Sequence, residues 1–506
     1  MEKNPLRLLT GPWLPDLPAL DNPGILTATN VYARTPKSYG PVGSMQVYSS
    51  ALGARCQGAA AFLDATGNVN LFAGDASKLY RLVPGGTSWA DVSKVGGYST
   101  PSDGQWKFEY FNGIVTATNY SDPIQKFNIT AADTAFSDLA SGAPRARYLA
   151  FIKNFLMVAG TFDATDEDQP QRVWWPALAD PTNWPTPGTV AAAQVQSSRN
   201  DLFGDYGFIQ GVVGNLGNAD GAVFMERAVF RVIYSGPPVV FDFSPAEGVK
   251  GCVAPNSIVQ YGNLAYYLGP DGFYVFDGLT STPIGANKFD KTFYADLDQS
   301  YLDRIVGTAD PINRQIIWAY PGRGNSGGTP NHLLMYNWDL ERATVCDMEC
   351  ETIARMLSIG YTLDQLYTVL GYTLDTLPAP LDSRVWTGGQ LLLGAFDTAH
   401  KLNYLSGANL APTVDTTEAQ PFPGRRWRVK GARPLVDGGT PSVAIGRRER
   451  LVDPVTFTAA SAMNALGICP VRASGRYGRA RITLPAGSDF SHIQGVELDG
   501  DQAGSR

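Results

Sequence analysis

The segment Phe108-Glu109-Tyr110-Phe111-Asn112-Gly113-Ile114-Val115-Thr116-Ala117 decides the fold class. Two short runs, rich in aromatic and β-branched residues, flank an Asn-Gly pair. That dipeptide supplies the two positive-φ residues of a tight hairpin turn. The same grammar recurs along most of the chain. Residues 61–63 and 69–73 flank Ala65-Thr66-Gly67-Asn68, and 148–152 and 155–159 flank Lys153-Asn154. Residues 223–226 follow Asp220-Gly221, and 258–261 and 264–268 flank Gly262-Asn263. Residues 316–320 go with 333–336, and 391–396 with 401–405. The hairpin centres lie near residues 67, 113, 154, 221, 262, 314 and 395, at spacings of 46, 41, 67, 41, 52 and 81. A four-stranded propeller blade consumes about 40–50 residues. One such meander cannot bury its own face, so several must stack radially and close. The expected fold is all-β, a β-propeller of six or seven blades.

Composition agrees with a packed, loop-rich chain. Its 506 residues include 54 Gly and 35 Pro, which exclude a long coiled coil, and 44% hydrophobic content excludes disorder. The length exceeds what a single core usually supports. The net charge of −7 hides an asymmetry. Residues 425–506 hold 12 Arg and one Lys against seven acidic residues, a balance of +6, so the first 424 residues carry −13. A nucleic-acid reader usually has a basic body, and this body is acidic.

The reading divides the chain into an N-terminal arm (1–50) that completes a β-domain or closes the propeller, a propeller (51–405), a polar linker (406–424) and an Arg-rich β-domain (425–506). An insertion at 351–380 repeats Gly-Tyr-Thr-Leu-Asp at 360–364 and 371–375, with leucines at helix-like steps. No apolar run is long enough for a signal peptide or a membrane span, so no membrane anchor is expected. Five thinly spread cysteines suit synthesis in a reducing compartment.

Motifs that carry chemistry are sparse. Gly324-Asn325-Ser326-Gly327-Gly328 fits a nucleophile elbow, but Pro330 follows where a helix should begin. The three histidines (His332, His400, His492) are far apart in sequence, and the strong metal and nucleotide fingerprints are missing. Asp163, Asp166, Glu167 and Asp168, and then Asp296, Asp298 and Asp303, read as solvated loop charge rather than as catalytic pairs or calcium ligands. Cys346 and Cys350 read as small buried residues rather than half of a zinc site. The reading is therefore of a protein that is not an enzyme and uses no cofactor. The sharper candidates are Arg425, Arg426, Arg428, Arg472, Arg476, Arg479 and Arg481, interleaved with Trp427 and Tyr477. Arg479 and Arg481 share one face of a strand. Such arginines serve a subunit interface or, equally, a solvated face with local ion pairs.

Several segments together resemble a known family. They are Trp13-Leu14-Pro15-Asp16 through Asn22-Pro23-Gly24, Thr29-Asn30-Val31-Tyr32, Leu71-Phe72-Ala73-Gly74 with Leu79-Tyr80, and Asp180-Pro181-Thr182-Asn183-Trp184. Ala254-Pro255-Asn256-Ser257, Pro270-Asp271-Gly272-Phe273-Tyr274 and Gly475-Arg476-Tyr477-Gly478-Arg479 complete the series. It resembles the virion structural proteins of tailed bacteriophages, in particular the tail nozzle or hub proteins of short-tailed phages. The resemblance implies a homohexameric tube in the virion tail, synthesised in the host bacterial cytoplasm. Such a tube meets a head-to-tail adaptor, holds tail fibres or spikes, and passes double-stranded DNA without reading its sequence. An acidic wall would let the duplex slide. The alternative is a carbohydrate-active propeller enzyme, a glycosidase or lyase, with Trp174, Trp175 and Trp184 stacking on sugars.

Overall fold

Asn112 and Gly113 both take positive φ, 47° and 86°, and join strands Lys107–Phe111 and Ile114–Thr118 in a tight antiparallel hairpin. Lys153 and Asn154 do the same at 46° and 66° between Arg145–Ile152 and Phe155–Asp163. In the computed structural model, which describes residues 6–358, 367, 371, 373–376 and 389–504, such hairpins open a series of four-stranded sheets. The sheets follow one another as blades 1 to 7, at residues 59–91, 107–138, 145–201, 209–247, 259–283, 306–347 and 352–404. Each first strand touches the first strand of the next blade, with the turn Pro255–Ser257 bridging blades 4 and 5. Thr352–Leu357 of blade 7 then returns to Ala59–Leu63 of blade 1. The chain is a seven-bladed β-propeller.

Blade 7 is composite. Its outer strand is Gln46–Ala51, paired antiparallel with Lys401–Tyr404, so the N-terminal arm closes the ring. The buried Ser49 fixes this closure. Its Oγ accepts from Leu402 N at 3.0 Å and from the Trp89 indole of blade 1 at 2.9 Å.

The rest of the arm belongs to a second body, a β-sandwich. One sheet runs Val31–Thr35, Ser38–Pro41, Ile493–Gln502, Trp427–Val436, Ala473–Gly475, and Leu6–Leu9 also pairs with Ile493–Gln502. The other runs Thr27–Thr29, Thr413–Asp415, Tyr477–Thr483, Ser442–Arg448, Thr456–Phe457. Alternation in Tyr477–Thr483 is strict: 478, 480 and 482 are buried, and Arg479 and Arg481 share the opposite face. The second sheet does not end at the sandwich. Thr29 pairs in parallel with Val345, so the sheet continues into blade 6 as one ten-stranded structure. Val429, Ile445, Ile482 and Val496 of the sandwich share one apolar cluster with Phe273 and Trp318 of blades 5 and 6. Each fully buried side chain of this size contributes roughly 1.5–3 kcal/mol, so the two bodies stabilise each other.

Three sequence expectations change. Residues 352–357, assigned to a helix-like insertion, are the first strand of blade 7; the repeated pentapeptides lie mostly outside the described residues. That long A-to-B connection explains the 81-residue spacing, because 391–396 and 401–404 are the second and third strands of their blade. The proposed linker 406–424 contains strand Thr413–Asp415, central in the ten-stranded sheet, with Asp415, Thr416 and Glu418 buried. Its polar residues are ion-paired or hydrogen-bonded within the sandwich, so polarity does not make it a linker. In the first acidic run Glu167 and Asp168 are exposed, but Asp163 and Asp166 are drawn into an ion-pair cluster with Arg172 and Arg199. The run caps a long hairpin in which Arg172, with a 7% exposed side chain, reaches Asp166 and Asp201 at 2.6 Å each.

Candidate assembly surface

The arginine-rich face is built on Trp427–Val436, Ser442–Arg448, Ala473–Gly475 and Tyr477–Thr483. The structure splits its arginines into two groups. Arg481 lies directly opposite Asp415 in register, on the face away from the apolar core, and grips it with two hydrogen bonds, Nε to Oδ1 at 2.6 Å and Nη2 to Oδ2 at 2.7 Å. The pairing holds the Arg481 guanidinium above its ordinary range. Arg479 lies 4.0 Å from the same carboxylate, and burial lowers its pKa. Both guanidinium groups stack on Phe457, at 4.1 Å for Arg481 and 5.2 Å for Arg479. Arg426 pairs with Glu449 at 2.7 Å, and Arg425 reaches the side-chain amide of Gln502. Arg448, outside the sequence-level candidate set, forks onto the fully buried Glu418. This first group braces the sandwich and anchors the 413–418 segment.

The second group faces solvent around the edge strand Ala473–Gly475. Arg428 lies directly opposite Ser474 in register, and opposed residues of an antiparallel pair project to the same face. Arg472 precedes the strand and Arg476 follows it, each two positions from Ser474, so both share its face where the strand geometry extends. Arg447 donates to Ser474 O at 3.2 Å. Arg428, Arg447 and Arg472 are exposed and have no carboxylate partner among the described residues. Asp501, which stands opposite Arg428 in register, is paired with Lys430 instead. The sequence pattern showed the arginines but not this division, because Asp415 and Glu418 seemed to lie in a linker. Arg447 belongs to the same arginine pattern, in the run Arg447-Arg448-Glu449-Arg450, but nothing local in the sequence ties it to Ser474.

Other sites offer less. Trp174, Trp175 and Trp184 are 6%, 1% and 8% exposed, so they are core residues and present no sugar-stacking platform. The Gly324–Gly328 segment is a loop in which Gly324, Gly327 and Gly328 take positive φ, and strand His332–Asn337 follows it. His332 sits between Asp347 at 3.1 Å and Asp296 at 3.8 Å, which raise its pKa. His400 Nδ1 is 2.6 Å from Glu351, whose other oxygen accepts from Cys56 N. His492 Nδ1 meets Ser38 Oγ at 2.8 Å. All five cysteines are free and buried. Among the described residues, no group of three or more His, Cys, Asp or Glu side chains is placed to hold a metal ion, and no helix is long and apolar enough to cross a membrane.

No family model matches the chain, and no curated protein matches it. Among solved structures it is similar to the WD40 domain of Pan2 from Neurospora crassa, with a TM-score of 0.35 at 8% identity over 72% of this chain and 88% of that one. It is similar to the computationally designed protein Ika8, with a TM-score of 0.35 at 9% identity over 72% and 99%. It is also similar to BamB from Moraxella catarrhalis, with a TM-score of 0.34 at 9% identity over 73% and 91%.

Proposed function

We propose that this chain is a structural subunit of a bacteriophage tail, of the nozzle or hub kind, that assembles as a homohexameric ring around a DNA channel. The observation that supports this reading most is the interlocked topology. The chain starts in the sandwich, crosses to close the propeller with Gln46–Ala51, runs through the blades and returns to finish the sandwich with Ile493–Gln502. Both terminal strands are thus locked in the sandwich and the propeller ring is closed by a segment that leaves it, so neither body separates without breaking strand pairs, as a pressurised tube requires. The cation-rich edge at Ser474 gives the ring a place for an acidic neighbouring subunit, adaptor or fibre to dock. In this reading DNA passes between subunits. The protein acts without catalysis and without a cofactor.

Mass measurement of the assembled form tests the reading. It should give about six times the 54.4 kDa chain, alone or on a phage adaptor. A stable trimer or a persistent monomer that releases reducing sugar from polysaccharide would replace it with the carbohydrate-active alternative.

A further inference from the structure

The axis of the propeller carries a charged group that the structural role does not use. Lys107 opens the first strand of blade 2 and lines two neighbouring cavities, one of about 230 Å³ and one of about 310 Å³. Gln105 and Asn256 line both as well. Their carboxamides are held in place by donating to Asp303 O, at 3.1 and 2.9 Å. The wall around Lys107 is thus fixed by hydrogen bonds rather than by mobile side chains.

Lys107 has no carboxylate partner among the described residues. Glu109, two positions along the same strand, is influenced by Arg355 across the lower cavity. Two further carboxylates, Asp103 and Asp303, line the 230 Å³ cavity; Asp303 is paired with Arg304 at 3.2 Å, and neither is bonded to Lys107 among the described residues. Burial alone pushes the Lys107 amine down to about 8. Lys107 is half-buried, and a partly desolvated cation without a direct counter-ion is relieved by a hydrogen-bonded anion.

We propose that the axial channel of the propeller is a binding site for a small oxyanion, a carboxylate or phosphate group, with Lys107 as its anchoring cation. The cavity volumes admit an anion of a few heavy atoms. Arg147 also lines the 230 Å³ cavity but is committed to Asp168 at 3.5 Å and to the Tyr120 ring, so Lys107 is the cation left for the anion. The site is independent of ring assembly, because every residue that forms it comes from one propeller.

Calorimetric titration of the full-length protein with malonate, and separately with inorganic phosphate, tests the proposal against sodium chloride at equal ionic strength. Saturable one-to-one binding of either anion is expected, and the arm that binds tells carboxylate from phosphate. Lys107→Met should weaken it about tenfold or more, the scale of one lost charged hydrogen bond, while Lys107→Arg should retain most of it. Heat no different from chloride in both arms, or equal affinity in Lys107→Met, overturns the proposal. A second measurement does not depend on how the variant folds. In the wild-type protein, malonate or phosphate should slow reductive methylation of Lys107, read by peptide mass, and leave the exposed Lys153 unaffected. Unchanged labelling of Lys107 with both anions overturns it as well.

Discussion

Arg481 closes both arms of its guanidinium fork on Asp415, at 2.6 and 2.7 Å, and Asp415 is only 1% exposed. Asp415 lies on Thr413–Asp415, the strand that joins the Thr27–Thr29 strand to the rest of the sandwich. The pair therefore fixes the seam through which the sandwich and blade 6 share a sheet. Breaking a fully buried pair from one side costs about 3–5 kcal/mol. The Arg481 side chain is 37% exposed, which screens part of that and leaves on the order of 2 kcal/mol. Arg481→Gln should lower the unfolding free energy from chemical denaturation by that amount, and Arg481→Lys should recover little, since an ammonium cannot fork. Unchanged unfolding in Arg481→Gln would mean that the seam does not depend on this contact.

Gly478 lies against an indole. A Cβ built there would stand 1.8 Å from Cζ2 of Trp427, itself 3% exposed. Neither ring nor strand can retreat without disturbing the packing between the two sheets of the sandwich. Gly478→Ala should destabilise the protein by about 1–3 kcal/mol, the range for overpacking a full core. Trp427→Leu in the same chain should recover part of the loss, measured by thermal unfolding. An additive double variant would show that the two positions do not press on each other.

How much of this was legible differs by element. The hairpins at Asn112-Gly113 and Lys153-Asn154 could be read because turn chemistry is local: two positive-φ residues between two apolar runs need no knowledge of the rest of the chain. The alternation that places Arg479 and Arg481 on one face was readable for the same reason. Blade 7 was not, because its outer strand comes from residues 46–51 and its first hairpin is opened by a long connection. Asp415 and Glu418 looked like linker polarity because their partners, Arg481 and Arg448, are 66 and 30 positions away. Local composition carries no record of such pairing. The unpaired Lys107 was equally hidden, since its solitude depends on what six other blades place around the axis.

Glu109 gives the stability of the propeller a pH dependence of defined sign. Burial in the axial channel raises its carboxyl from 4.5 to about 7, against the opposing field of Arg355. The unfolded chain releases this proton near the lower value. Between the two the folded state binds more protons, so stability is highest at the acid end and falls as pH rises from 4.5 to 7. The contribution is on the order of 2 kcal/mol. Glu109→Gln, neutral throughout, should flatten that part of the wild-type profile, and Arg355→Met, by removing the opposing field, should extend the fall to higher pH. Parallel wild-type and Glu109→Gln profiles across this window would rule the contribution out.

The two groups of arginines should separate in one experiment. Arg428, Arg447 and Arg472 are exposed around Ser474 and have no carboxylate of their own, so replacing all three by Gln should leave unfolding within about 0.5 kcal/mol per site. If the edge docks on an acidic neighbour, the triple variant should assemble poorly while remaining folded, and added salt should weaken the wild-type ring in the same way. Arg479→Gln with Arg481→Gln should do the reverse, losing stability first and assembly only as a consequence. Size measurement and thermal unfolding of the two variants, side by side, distinguish these outcomes. Phosphate binding makes a third forecast: the exposed triple variant would assemble normally yet lose salt-sensitive affinity for duplex DNA. Normal assembly of that variant, with or without a change in DNA binding, would remove the Ser474 edge from the ring interface.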